Sequence, residues 1–185
     1  MAAMLLAWAG IQRFDVDVDA GMRVPTLTLA GLMHANFRLP QVDYLTFLRA
    51  TGFLTKDKRE VAKAFERAVF NVVFHHRDDH TKNVSFRLNK ARQWQLAPCY
   101  DLTFNLGPGG EYSMAIQGFG KEIKRASLLD LAQRAGLDLR ASARVIDRMR
   151  EVADTFAAST KRHPIRTATV HELSKYIFNN LKLLG

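Results

Sequence analysis

One change of hydrophobic period governs what this chain can become. Val61, Phe65, Ala68, Val69, Val72 and Val73 recur at the i, i+3, i+4 spacing of a helix buried along one face. Beyond them Val84, Phe86 and Leu88 alternate with Ser85 and Arg87, and after Asn89-Lys90-Ala91-Arg92 come Trp94 and Leu96. A period of 3.6 that gives way to a period of 2 is a helix feeding a β-hairpin. The two are joined by a polar run, His75-His76-Arg77-Asp78-Asp79-His80-Thr81-Lys82-Asn83, and the hairpin leads into Leu96-Ala97-Pro98-Cys99-Tyr100-Asp101-Leu102. With Leu88 paired near Gln93, Asn83 falls opposite Pro98 and Asp101 lies just past it. Strand geometry then returns Asp101 to the neighbourhood of Asn83 and Asp78.

The residue types in that run point to phosphoryl transfer. His76-Arg77-Asp78, with Asn83 five residues after the Asp, has the pattern His-Arg-Asp-x-x-x-x-Asn. Moving a γ-phosphoryl group demands mostly positioning and charge neutralisation. Asp78 is placed to accept the proton of an attacking hydroxyl. Asn83 and Asp101 offer the hard oxygen ligands that Mg²⁺ takes together with substrate phosphates. Lys82 is a candidate to contact the transferred phosphate.

Elsewhere the chain reads as α+β and mainly α. Residues 4–18 suggest a strand or strand pair, since Phe14, Val16 and Val18 alternate with Asp15 and Asp17. Asp19-Ala20-Gly21 is a turn. A short helical stretch starts at Pro25 and Thr26 and runs through Met33. A second helix over about 41–51 stops at Gly52, and Thr55 caps the third. Gly107-Pro108-Gly109-Gly110 and Gly118-Phe119-Gly120-Lys121 are loops without Walker A spacing. Ser127 with Asp130 resembles a capping box for a helix that ends at Gly136. Asp138 caps a long helix to about Ser159, and Thr169 with Glu172 forms another capping box for the last helix. No repeat or linker divides the chain, so 1–185 reads as one domain. Residues 1–18 are a hinge and strand region, 19–75 helices, 76–105 the catalytic loop, hairpin and Asp101, and 106–185 helical.

Composition narrows the setting. The single cysteine, Cys99, excludes an internal disulfide framework and fits a reducing compartment; between Pro98 and Tyr100 it reads as a packed residue. The apolar opening is short and has no basic residue before it, a poor signal peptide, and no apolar run approaches the roughly 20 residues of a membrane span. The chain therefore reads as soluble and cytoplasmic, without a membrane partner. Its net charge of +9 is uneven: residues 1–55 hold four Arg and four Asp, while 56–185 hold 23 basic and 14 acidic residues. Such a surface attracts phosphate, in a nucleotide, DNA or an acidic partner, or it is solubilising charge on helix faces. A rival chemistry uses the histidines: His75, His76, Asp78, Asp79 and His80 as ligands of a hydrolytic metal, with His76 and His80 converging from one helix face.

The motifs together resemble the HipA family, bacterial serine/threonine kinases of toxin–antitoxin modules. The resemblance rests on Asp78, His80-Thr81-Lys82-Asn83-Val84-Ser85 and Leu96-Ala97-Pro98-Cys99-Tyr100-Asp101-Leu102. Arg13-Phe14-Asp15 is similar to the family's hinge between lobes, and Ser113-Met114-Ala115 through Gly120-Lys121 to the stretch after its magnesium-binding Asp. The resemblance implies a protein-kinase-like C-terminal lobe with ATP as cosubstrate. Asp78 would be the catalytic base, with Asn83 and Asp101 binding Mg²⁺. Phe14 would meet the adenine through its backbone, with Asp15 and His80 near the ribose. It implies a protein substrate in the translation apparatus and a small helix-turn-helix antitoxin as partner. Against the family pattern, residues 1–55 contain no lysine and four scattered glycines, so the ATP-binding lysine and Gly-rich loop are missing. Three expectations follow: a catalytic lobe needing an N-lobe in trans and inactive alone, a non-catalytic module that binds a partner protein or DNA, and the metal hydrolase.

Overall fold

Helix α3 (Lys58–Val73) is the axis around which the rest is arranged. The computed structural model describes residues 13–17, 19–36, 42–161 and 163–185, about half of them helical. Every apolar position of the expected stripe is buried: Val61, Phe65, Ala68, Val69, Val72 and Val73. Against that stripe lie α2 (Tyr44–Thr55), α5 (Leu139–Asp154) and α7 (Thr167–Leu184). Tyr44, Phe47, Leu48, Leu128, Leu131 and Ile146 join one cluster of buried side chains with it. Burying a side chain of this size stabilises by about 1.5–3 kcal/mol.

The helix ends differ from the sequence expectation in instructive ways. Helix α2 runs through Gly52 and closes at Lys56, which takes the left-handed conformation at φ 52°. A Cβ on Gly52 would stand 3.2 Å from Val61 Cγ2, so the glycine serves the close approach of α3. Thr55 donates back to Thr51 O at 2.8 Å, and Asp57 caps α3 by accepting from the Arg59 amide at 2.8 Å.

Residues 19–75 are not purely helical. Strand β1 (Val16–Asp17) pairs antiparallel with β2 (Met22–Arg23). The stretch from Pro25, expected to be helical, contributes strand β3 (Thr26–Thr28) before the single turn α1 (Leu29–Leu32). The strand wins because β3 pairs with β4 (Ser85–Leu88), far along the chain, and β4 pairs with β5 (Trp94–Leu96) in a sheet of order β3-β4-β5. The early part of the strand expected over 4–18, and Val18, lie outside the described residues.

The β4–β5 register is one residue from the expected one: Leu88 faces Trp94 and Phe86 faces Leu96. The turn sets it. Asn89 and Gln93 close the hairpin, the Asn89 amide donating to Gln93 O at 2.9 Å, and Arg92 sits at φ 58°. A left-handed residue ending a three-residue loop matches the twist of the strands. On this register Asn83 falls opposite Cys99 rather than Pro98.

Helix α4 (Arg125–Arg134) begins after Lys124 without a side-chain cap, so Ser127 and Asp130 form no capping box; Asp130 instead receives the Gln117 amide. Asp138 does cap α5, accepting from the Ala141 amide at 2.7 Å. That helix gives way at Thr155 to a short α6 (Phe156–Thr160). Helix α7 starts ahead of the Thr169–Glu172 pair, again without a side-chain cap. Among the described residues no helix is long and apolar enough to cross a membrane.

Candidate functional site

The last turn of α3 hands the chain to the polar run through His75, which turns back at φ 56°. Asn180 of α7 secures this exit. Its amide nitrogen donates to Val72 O at 2.8 Å and lies 3.4 Å from Val73 O and 3.3 Å from His75 Nδ1. Two orphan carbonyls of the helix end thus gain a partner. The His75 ring packs against those of Phe104 and Tyr176, at 5.6 and 4.5 Å, and these two also touch each other at 5.3 Å. Burial lowers its pKa to about 4, so His75 is a neutral packing residue.

His76 performs a different task. Its Nδ1 lies 2.6 Å from Thr103 O and 3.3 Å from the Thr103 amide; the shorter contact fixes Nδ1–H as the donor. Burial pushes its pKa down, opposed by that bond and by the charges of Asp78 and Asp101. Both carboxylates therefore act on one imidazole. Through it the polar run grips the chain two residues past Asp101.

A second grip lies on the near side of Asp101. The Tyr100 hydroxyl donates to Lys82 O, and Ser85 Oγ approaches it at 2.6 Å. Asp101, held between Tyr100 and Thr103, is exposed and left-handed at φ 53°, a conformation Asp tolerates better than most residues. Asn83 Nδ2 donates to Asp78 O at 2.9 Å, closing the loop on itself. With its nitrogen committed, the amide keeps its oxygen for another partner. The Asp78 carboxylate is 38 % exposed, with His80 Nε2 at 3.6 Å.

Hydrogen bonds thus join the segment carrying Asp78, His80, Lys82 and Asn83 to Tyr100 and Thr103, the residues on either side of Asp101, with Phe14 packed on Tyr100. The Phe14 ring rests on Tyr100 at 5.5 Å, and its carbonyl accepts from Arg87 Nη1 at 3.4 Å. Asp15 is engaged otherwise, its carboxylate held by Arg13 at 2.9 and 2.5 Å. Of Lys82, it is the backbone carbonyl that enters the frame.

The expected histidine–carboxylate metal cluster does not assemble. His76 and His80 share no helix face: His76 bridges to Asn105, and His80 precedes a 3₁₀ turn (Thr81–Asn83). His75, His76 and His80 point to Asn180, Thr103 and Asp78 respectively. Among the described residues no three His, Cys, Asp or Glu side chains come together to hold a metal ion. Asp79, expected in that cluster, departs furthest from it. It is 2 % exposed; it accepts from the Tyr44 hydroxyl at 2.6 Å and the Ser113 amide at 2.7 Å. Asn71 completes the network by donating to Tyr44 at 2.8 Å. Burial raises the Asp79 pKa to about 7, against the pull of these donors. Doubled acidity at 78–79 is the one signal in the sequence, and it does not say which Asp faces inward.

Comparison with known proteins bears on this arrangement. The profile of the HipA-like C-terminal domain matches residues 3–159. Among solved structures, the HipA toxin of Shewanella oneidensis MR-1, in complex with HipB and its operator DNA, superposes with a TM-score of 0.66 at 16% identity. The match covers 92% of this chain and 46% of that one, so the chain spans under half of that relative's length. No curated protein matches the sequence. The profile match extends over most of the chain, and the chain belongs to the HipA-like C-terminal domain family.

Proposed function

We propose that this chain is the catalytic lobe of a HipA-type serine/threonine kinase, transferring the γ-phosphoryl of ATP to a protein hydroxyl. The observation that carries the proposal is the double tether of Asp101 to the Asp78–Asn83 loop, through Tyr100 to Lys82 and through Thr103 to His76. Asp78, partly exposed and close to His80, takes the hydroxyl proton. Asn83 Oδ1 and the Asp101 carboxylate are two hard oxygen donors, a set suited to an ion that keeps waters and phosphate oxygens as its remaining ligands. Mg²⁺ bound there would neutralise charge on the phosphates. Lys82 faces the transferred group, while Phe14, Asp15 and His80 border the nucleotide. A complementing N-lobe supplies the Gly-rich loop and lysine that hold ATP. The partners are a helix-turn-helix antitoxin and a hydroxyl-bearing protein of the translation apparatus.

The test uses Mn²⁺ in place of Mg²⁺. Paramagnetic broadening of amide signals should centre on Asn83 and Asp101 and disappear in Asp101→Asn. With an N-lobe added, Asp78→Asn should abolish transfer. Broadening centred elsewhere, or full transfer by Asp78→Asn, sinks the proposal. A second reading, a module that binds an antitoxin or DNA without catalysis, draws on the basic excess and the exposed Arg134, Arg140, Arg144 and Arg148. Intact Asp78-independent binding with no Mn²⁺ site would favour it.

A further inference from the structure

Asp78 sits in a stretch held on both sides. On its C-terminal side, Asn83 takes the Asp78 carbonyl. On its N-terminal side, Ser113 Oγ donates to Arg77 O at 3.0 Å, and the amide of the same Ser113 donates to Asp79 Oδ1 at 2.7 Å. One serine therefore spans the residue between 77 and 79. The Asp79 carboxylate is braced from behind by Tyr44, which is fully buried, and Tyr44 in turn by Asn71. The Arg77 side chain is also enclosed by the segment that brings Ser113. Its guanidinium donates to Leu106 O at 3.3 Å and to Gly110 O, and lies 5.0 Å above the Tyr112 ring. A Cβ on Gly107 would meet Arg77 Cβ at 2.9 Å, so the glycine lets the segment close around the arginine.

We propose that Ser113 and Asp79 are positioning residues for Asp78, a staple through which the stretch after Asp101 sets the aim of the base. The inference rests on the kinase reading above and adds to it how the two carboxylates keep a fixed relation. Asp101 and Ser113 belong to one continuous run. Its first residues are tied to His76 and Lys82, its later ones to Arg77 and Asp79. The base thereby has a fixed backbone and a carboxylate left accessible, as proton abstraction in a short-lived geometry requires.

The experiment compares the unmutated chain with Ser113→Ala and Ser113→Thr. Amide hydrogen exchange is followed by mass spectrometry, and Mn²⁺ relaxation by NMR. In Ser113→Ala, exchange across 77–83 should quicken by about tenfold or more while peptides from α3 and α5 are unchanged. Mn²⁺ broadening at the Asp78 amide should fall at least about twofold relative to Asn83, because the staple and not the metal site has loosened. Ser113→Thr, which keeps the hydroxyl, should restore both. If alanine unfolds the chain, Ser113→Cys, close in size and a poor donor, carries the same comparison. Equal exchange and equal broadening at Asp78 in the unmutated and hydroxyl-free chains overturn the staple and leave the kinase reading intact. Mn²⁺ that never reaches Asn83 and Asp101 in the unmutated chain overturns the kinase reading itself.

Discussion

Replacing Asp79 by asparagine should change how stability depends on pH. The Asp79 carboxyl has its pKa raised from 3.8 to about 7 by burial. A folded state that holds a proton the unfolded chain has released is favoured by acid, so this group's contribution is complete below pH 3.8 and is lost as the pH rises through 7. A displacement of that size corresponds to about 4 kcal/mol. His75 runs the other way. Its pKa is lowered from 6.5 to about 4, so its contribution is complete above pH 6.5 and is lost as the pH falls through 4, about 3 kcal/mol in all. Between pH 4 and 6.5 the two oppose each other, with His76, also lowered by burial, acting on the side of His75, so the profile of the unmutated chain should be shallower than that of the variant. A carboxamide at this position cannot titrate, so the variant retains only the histidine slope. Urea midpoints measured from about pH 4 to 8 should then fall steeply on acidification in Asp79→Asn, with a thermal midpoint lower by about 6–12 °C at the acid end. The difference between variant and unmutated chain should move by about 4 kcal/mol across the range, in the variant's favour at high pH. Parallel profiles for the two proteins would refute the assignment of a buried, proton-holding Asp79.

Two further perturbations test the frame around the site. Asn180→Leu keeps the bulk of α7 but leaves the Val72 carbonyl with the Tyr112 hydroxyl at 3.1 Å as its remaining donor and removes the donor to His75; a loss of about 0.5–1.5 kcal/mol in urea unfolding is expected, and an unchanged midpoint would mean that α7 does not secure the loop. Gly107 and Gly118 both have positive φ, at 74° and 78°, but a Cβ at 107 would lie 1.9 Å from Glu111 O whereas at 118 it meets open space. Gly107→Ala should cost clearly more than the roughly 1 kcal/mol expected of Gly118→Ala by thermal unfolding, and equal costs would discount the close approach.

What could be read from the sequence was whatever depends on neighbours in the chain. The apolar spacing from Val61 to Val73 forced a buried helix, and the alternation of Val84, Phe86 and Leu88 forced a strand, so the polar run between them had to be the junction, though nothing local showed that His75, His76, Asp79 and Thr81 are buried in it. Where two local signals competed, geometry decided between them unseen. Gly52 looked like a helix stop but was small for the sake of Val61, and Lys56, which looked unremarkable, took the left-handed position. The hairpin slipped by one residue because Arg92 rather than a glycine adopts the positive φ in the turn. Asp79 was out of reach for another reason. Its partners Tyr44 and Ser113 are more than thirty residues away on either side, and only the packed fold shows that one acid of the pair turns inward. Thr26–Thr28 likewise became a strand because of Ser85–Arg87, a partner that its own residues do not announce.

Tyr100 is fastened at its tip and loaded on its flat side. The phenol oxygen is pinned under Lys82 and Ser85, while Phe14 bears on the ring 5.5 Å above. The very next residue is Asp101. With its hydroxyl bonded and its face covered, the ring holds the start of the backbone segment that carries the carboxylate. One aromatic side chain thus links the segment at residue 14 to the residue that precedes the acid at 101.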